Sequence, residues 1–129
     1  MKKYKYIMLC LLLLIAKNMF SQDTQQSPVN LGTKSASFEY TDSKNTENYN
    51  NDYEGQSTND VYYKFTLSTS MDIIISHCGS ILDDTYIYLL DSNGNEIDSN
   101  DDNYEGGCYY GHQSYLQIME EYNQLILQQ

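Results

Sequence analysis

The sequence predicts an all-β fold, an antiparallel sandwich or barrel, on the strength of three observations. Apolar and polar residues alternate in short runs, the period expected of half-buried strands. Turn-forming residues separate these runs about every ten positions, a spacing typical of sandwiches and barrels. One turn contains Asn93-Gly94, the strongest short signal for a β-hairpin. Units in which strands alternate with helices are therefore disfavoured.

The predicted strands follow from this alternation. In the clearest run, 61–68, every second residue is apolar, so one face carries Val61, Tyr63, Phe65 and Leu67. A first strand is expected at 35–40, where Ala36, Phe38 and Tyr40 share a face. The remaining predicted strands are 71–77, 85–90, 96–99 and 114–118.

Segments outside these strands differ in composition. Residues 22–34 are polar and predicted to be an extended N-terminal segment, and 35–118 to be the folded domain. Residues 41–60 are rich in Asn, Asp, Ser, Thr and Gly and predict a long loop. Residues 119–129 have a helix-forming composition without turn residues, which predicts an irregular or helical tail.

The first 21 residues resemble a secretory signal peptide. Three lysines precede an apolar run at 7–16, and Ser21 is a small residue at a suitable cleavage point. Ten helical residues span about 15 Å, half of a hydrocarbon core about 30 Å thick, so the run is too short for a membrane anchor. Cys10 lies inside the apolar run, which argues against lipidation. We expect a secreted protein: periplasmic, cell-surface or extracellular.

The charge balance argues against anionic partners. Four of the seven lysines lie in the first 21 residues, which contain none of the 18 acids, and the chain has no arginine. A field this acidic repels phosphate backbones and anionic lipid surfaces, so nucleic acid and membranes are poor partners. Divalent cations are attracted, although acidity also serves simple solubility.

Cys78 and Cys108 are the two cysteines beyond the signal segment, and in an oxidising compartment such a pair predicts a disulfide. Zinc held with His77 and His112 is the alternative, but consecutive His77 and Cys78 point to opposite faces of a strand. A cysteine–histidine nucleophile needs a free thiolate, which a disulfide removes. No nucleophile-elbow motif surrounds the candidate serines, which are Ser76, Ser80 and Ser114. We therefore expect no catalytic site and no enzyme.

Two candidate binding sites lie in the acidic stretch 83–105 or directly after it. Asp98, Asn100 and Asp102 alternate, so in an extended segment their oxygens point the same way, as in the first part of a calcium loop. The alternative is a solvated loop with local turn hydrogen bonds. Three tyrosines flanked by glycines could stack on a glycan or a protein surface, or pack around the disulfide: Tyr104, Tyr109 and Tyr110.

Several motifs together resemble a known module. They are Val61-Tyr-Tyr-Lys-Phe65, Ile75-Ser-His-Cys-Gly-Ser80, Asp84-Thr-Tyr-Ile-Tyr-Leu-Leu-Asp91 and Asn100-Asp-Asp102. The match, over about 28–116, is to the N-terminal β-sandwich module of large secreted RHS/YD-repeat proteins of Gram-negative bacteria. That module is similar to the pre-peptidase C-terminal domain of secreted hydrolases. The resemblance implies a jelly-roll-like antiparallel sandwich without an active site, attached to a larger chain.

The chain departs from this family after residue 116. Family members continue into a turn and a closing strand, which 117–129 do not resemble. We therefore expect a truncated module that lacks its closing strand and exposes a strand edge. The expected function is that of a non-catalytic accessory module of a larger RHS-repeat protein. The alternatives are a calcium-assisted glycan- or protein-binding module using the Asp98–Tyr110 loop and, in third place, a secreted hydrolase.

Overall fold

The computed structural model describes residues 24–103, 108, 111–119 and 124–128. These residues form seven strands and one 3-10 turn at Thr46–Asn48, with no α-helix among them, so the all-β prediction is confirmed. The strands are β1 (Val29–Lys34), β2 (Tyr62–Leu67), β3 (Ile73–Ser76), β4 (Ile87–Asp91), β5 (Glu96–Asn100), β6 (Tyr115–Ile118) and β7 (Gln124–Gln128). The segment predicted as a signal peptide lies outside the described residues. Where the chain is described, no helix has the length and apolarity needed to cross a bilayer.

The strands form two sheets. Five of them make one sheet in the order β1-β2-β7-β4-β5, and β3 and β6 make a two-stranded sheet. Among the strands that the structure describes, β1 and β2 pair in parallel and the other pairs are antiparallel. Five of the six predicted strands therefore occur, with ends that agree with the prediction or differ from it by one or two residues.

The alternation of apolar residues builds one core to which both sheets contribute. Every second residue of β2, beginning one residue before it, is buried there with residues of β3, β4 and β6. The buried set is Val61, Tyr63, Phe65, Leu67, Ile73, Ile75, Ile87, Leu89, Leu116 and Ile118. Because both sheets contribute, neither can keep its apolar face dry without the other.

The other face of the five-stranded sheet is covered by tyrosines. Tyr62, Tyr88 and Leu90 are buried there, with Tyr53 and Tyr86 packed against them. Tyr53 belongs to the long loop, which the carboxylate of Asp60 holds by accepting the N–H groups of Asp52 and Tyr53. The stretch 41–60, predicted as a long loop, contains no strand in the structure, and its Tyr53 packs on the outer face of the sheet.

The predicted first strand is wrong. Residues 35–40 join no strand, and the edge strand β1 lies immediately before them. Gly32, at φ 74°, accommodates a register shift in β1 that an alternation pattern does not reveal. The aromatic rings of the segment still pack on β2, with Phe38 6.4 Å from Phe65 between ring centroids. The alternating aromatic residues of 35–40 therefore pack against the sheet, although the backbone of this segment does not pair with any strand.

The predicted tail is also wrong for 124–128. These residues form β7, which lies between β2 and β4 at the centre of the larger sheet. The chain thus supplies a strand where we expected a closing strand to be missing. Leu and Gln are good helix formers, but intrinsic propensity is a weak determinant, and two flanking strands that pair with both edges of the backbone override it.

The predicted hairpin joins β4 to β5. The Asp91 carboxylate accepts the backbone N–H groups of Asn93 and Asn95 at 2.8 and 2.9 Å. Its second oxygen accepts from the Asn95 side-chain amide. These bonds to Asn95 and Asn93 hold the pKa of Asp91 below its usual value. Gly94, at φ 86°, provides the left-handed residue that the turn requires.

Candidate functional site

The polar side chains that could form a functional site lie together at one end of the strands. The pairs β3–β6 and β4–β5 are antiparallel, so the ends of β3 and β5 and the beginnings of β4 and β6 lie on the same side. The loop 77–86 connects β3 to β4 at this end. Residues 101–103 follow β5 there, and 111–114 precede β6.

A disulfide links the loop 77–86 to the segment between β5 and β6. Cys78 and Cys108 are bonded, with their Cα atoms 4.9 Å apart, and the predicted pairing is confirmed. Bridged sulfurs offer neither a thiolate nucleophile nor a zinc ligand. A zinc site and a cysteine–histidine nucleophile were the two alternatives, and both required free thiols. The disulfide therefore removes the residues on which they depended.

Gln113 holds the loop 77–86 from inside. Its side chain is fully buried and its amide nitrogen donates to the carbonyl oxygens of Ser80 and Leu82, at 2.8 and 3.1 Å. Its amide oxygen accepts the N–H of Gly79 at 2.9 Å. Three backbone groups of the loop are thus satisfied by one side chain. Sequence reasoning missed this residue, because nothing in the local pattern distinguishes a buried glutamine from an exposed one.

A serine–histidine pair lies beside Gln113. Nδ1 of His77 is 2.8 Å from Oγ of Ser114, and Oγ1 of Thr85 is 3.0 Å from the same atom. Thr85 Oγ1 also accepts the N–H of Ser114 at 2.9 Å. In an enzyme a base at this distance could activate a serine. Ser114, however, has no exposed surface, so its hydroxyl joins β3, β4 and β6 and cannot meet a substrate.

Three carboxylates converge at the surface of this end. One oxygen from each of Asp84, Asp101 and Asp102 lies within 4.8 Å of the other two. We call this group the Asp84 cluster. Nδ1 of His112 is 3.0 Å from Oδ1 of Asp102. Backbone bonds from Thr85 N–H to the His112 carbonyl and from Asn103 N–H to the Gly111 carbonyl bring the loops together.

The electrostatics of the Asp84 cluster are those of crowded like charges. Partial burial, followed by the neighbouring charges of Asp102 and Asp84, raises the pKa of Asp101, and His112 opposes this effect. Converging carboxylate oxygens are the ligands that hard divalent cations such as Ca²⁺ prefer, with backbone oxygens or water completing the shell. The arrangement can therefore hold a cation, and exposed acids also gather without one.

The predicted calcium ligands are only partly brought together. Asp102 belongs to the Asp84 cluster, whereas Asp98 accepts the N–H of Ser99 next to it. The side-chain oxygen of Asn100 accepts the N–H of Tyr115 at 2.7 Å and so ties β5 to β6. β5 ends at Asn100, so the extended geometry assumed for 98–102 does not continue to Asp102. The set of three stays a prediction.

The tyrosines predicted for recognition, Tyr104, Tyr109 and Tyr110, lie outside the described residues. Three of the described tyrosines pack against one another on the outer face of the sheet. The Tyr88 ring is 4.3 Å from Tyr86 and 4.5 Å from Tyr53, and its hydroxyl donates to the carbonyl of Gly55. The Tyr53 hydroxyl donates to Glu96. Burial raises the pKa of both Tyr88 and Tyr53. The ring contacts of these tyrosines indicate that they serve packing.

Comparisons with protein-family models, with curated proteins and with solved structures gave no match to this chain. The resemblance to RHS-repeat modules therefore stays a prediction, based on the motifs quoted above.

Proposed function

We propose that this protein is a non-catalytic, exported β-sandwich module of the jelly-roll type that serves as an accessory unit of a larger RHS-repeat cell-surface protein. One observation carries the proposal: at the polar end of the strands, both cysteines and the serine that contacts a histidine are used in structural bonds. Cys78 and Cys108 are bridged, and the hydroxyl of Ser114 is enclosed. Such an end suits a rigid scaffold and leaves no nucleophile exposed among these residues.

The sandwich architecture is supported by the shared core. A single cluster of buried side chains draws on β2 and β4 of one sheet and on β3 and β6 of the other. Sheets that bury side chains against each other in this way typically lie about 10 Å apart. The interpretation as a jelly-roll-like sandwich follows from this packing together with the family resemblance.

Export of the protein and formation of the Cys78–Cys108 disulfide can be tested in one experiment. The full chain would be expressed in a Gram-negative host, and periplasmic material analysed by mass spectrometry and thiol labelling, with reduced protein as the control. We expect a mass lacking about 21 residues, as the signal length predicts, and no reactive thiol before reduction. Unprocessed protein with two reactive thiols would contradict the proposal.

Attachment to a larger chain has its own test. We expect the coding sequence downstream of residue 129 to encode YD-type repeats in one of its three frames. A sequence without such repeats in any frame would remove the accessory role for RHS proteins, and it would leave the result of the export experiment intact.

The Asp84 cluster favours a second candidate function, calcium-assisted binding of a glycan or a protein. Ca²⁺ that binds the folded state should raise the melting temperature relative to protein in EDTA, by mass action. Asp84→Asn with Asp101→Asn should abolish the increase, while Asp72→Asn with Glu39→Gln, two exposed acids elsewhere, should preserve it.

The predicted ligand set can be separated from the cluster in the same assay. Asp98→Asn should abolish the calcium effect if Asp98, Asn100 and Asp102 form the site. It should preserve the effect if the Asp84 cluster does. No change in melting temperature with Ca²⁺ or EDTA would remove both versions.

A further inference from the structure

The loop 77–86 exposes two consecutive large apolar side chains. Ile81 is 99% exposed and Leu82 is 48% exposed. We call these two residues the Ile81 tip. Single exposed apolar residues are common on protein surfaces and need no explanation. Two adjacent ones at the end of a loop differ, because the chain could turn them inward if the loop were free to move.

The loop is not free to move. Gln113 holds the carbonyl groups on both sides of Ile81, those of Ser80 and Leu82. The Ser80 hydroxyl accepts the N–H of Leu82 at 3.1 Å, and the disulfide anchors the loop at Cys78. The Ile81 tip is thus held in solvent by buried and covalent bonds. A loop backbone held in this way loses little conformational entropy when a partner covers the tip.

Negative charge borders the tip on one side. Asp83 and Asp84 follow it directly and are exposed, and Asp84 is grouped with Asp101 and Asp102. No lysine occurs between 65 and 129. A surface that fits this tip therefore needs an apolar patch for Ile81 and positive charge beside it for the carboxylates.

We propose that the Ile81 tip is a docking surface for a protein partner whose apolar patch is bordered by lysine or arginine side chains. An anionic membrane offers an apolar interior, but its surface repels the acids that border the tip. A second copy of this chain is poorly complementary, since beyond the first 21 residues it has three lysines. Of these, Lys34 lies over the Phe38 ring and Lys44 pairs with Asp42.

The test uses a peptide that presents the required chemistry. A fluorescent amphipathic helix of leucine and lysine would be titrated with the full chain and followed by anisotropy, with its leucine–glutamate counterpart as the charge control. Ile81→Ser with Leu82→Ser should weaken binding of the lysine peptide about tenfold or more, the scale expected for losing a buried aliphatic anchor. Asp83→Asn with Asp84→Asn should weaken it by a smaller factor that disappears at high salt.

Matched control variants show whether the lysine peptide binds at the Ile81 tip or is attracted non-specifically to an acidic protein. Ile74→Ser removes a 59% exposed apolar side chain elsewhere, and Asp72→Asn with Glu39→Gln removes two distant charges. Both variants should bind like the parent. Equal weakening by these controls, or equal binding of the glutamate peptide, would overturn the proposal.

Two further outcomes would assign the Ile81 tip to a different binding partner, and each of them would overturn the proposal. One is self-association in analytical ultracentrifugation that Ile81→Ser abolishes, which would assign the tip to a second copy. The other is Ile81-dependent binding to phosphatidylglycerol vesicles, which would assign it to a membrane. Circular dichroism of each variant checks that the fold is retained, as expected for exposed side chains.

Discussion

The five-stranded sheet and the disulfide-linked end of the molecule are stabilised by different forces. The sheet depends on apolar side chains that alternate along β2 and β4 and share one core with β3 and β6. The other end depends on one covalent bond and on a few buried polar groups, among them Gln113 and Ser114. Burial of apolar area is non-directional, whereas hydrogen bonds require each partner to be in place.

This difference determines what each region can do. A sheet with a tyrosine-covered outer face offers few exposed groups for recognition. The linked end carries both the Asp84 cluster and the Ile81 tip, because loops there are held rigidly without occupying the core. We therefore expect changes in the sheet and in the disulfide to act on folding, and changes of the other side chains at the linked end to act mainly on local structure and binding.

The largest expected effect comes from breaking β7. Ile126→Pro removes a backbone donor from a strand paired on both sides, at the position opposite Lys64 of β2 and Leu90 of β4. We expect a loss of about 4 kcal/mol or more in the free energy of unfolding, or no folded protein at all. Urea unfolding followed by circular dichroism measures it.

A matched proline distinguishes β7 from the segment 35–40. Ser37→Pro lies in exposed chain that belongs to no ladder, so its effect should stay within about 1 kcal/mol. The opposite ranking, with Ser37→Pro severe and Ile126→Pro mild, would restore the first strand and irregular tail predicted from the sequence.

The disulfide should have the next largest effect. Cys78→Ala with Cys108→Ala opens a loop whose ends are 30 residues apart in the sequence. The chain-entropy model gives a loss of about 3–4 kcal/mol, expressed mainly through the unfolded state. Urea unfolding of the variant should match that of the parent in reductant. Equal stability of variant and oxidised parent would show that the linked end contributes nothing to global folding.

Gln113→Ala should have a smaller effect, confined to the linked end. It leaves one N–H and two carbonyl groups of the loop 77–86 without their partner, which costs about 1–3 kcal/mol because water reaches part of the loop. Hydrogen exchange should increase around Gly79 and not in β2. Gln117→Ala, at an exposed position on β6, is the control and should change little. Faster exchange throughout β2 would mean that the two regions unfold together.

The same contrast explains how much could be predicted from the sequence. Strands β2 to β6 were predicted because their alternation or hairpin signal is local, and Cys78–Cys108 because only two cysteines lie beyond the signal segment. β1 and β7 were missed, since each is defined by its neighbours and not by its own pattern. Gln113 and the Asp84 cluster were missed for the same reason, because their members come from segments on both sides of β5.

The smallest expected effects are two pH dependences of opposite sign, one from each region. The folded state lowers the pKa of Asp91 below 3.8 through its bonds to Asn95 and Asn93, and raises that of Asp101 above 3.8 through burial and the charges of Asp102 and Asp84. Asp91 therefore stabilises the fold above pH 3.8, and this contribution is lost as the pH falls through its folded pKa. Asp101 in its ionised form destabilises the fold, and this cost disappears as the pH falls below 3.8.

Substitutions by asparagine separate these two contributions. At neutral pH, Asp91→Asn should lower the melting temperature and Asp101→Asn should raise it, and both differences from the parent should vanish in acid. Melting curves between neutral and acidic pH, at low salt and without divalent cations, measure both variants in parallel, with Asp72→Asn as an exposed control. A stabilising effect that persists in acid would show that the Asp101 side chain acts through its shape and not through its charge. A destabilising effect of Asp101→Asn at neutral pH would contradict the like-charge repulsion that distinguishes the linked end from the hairpin.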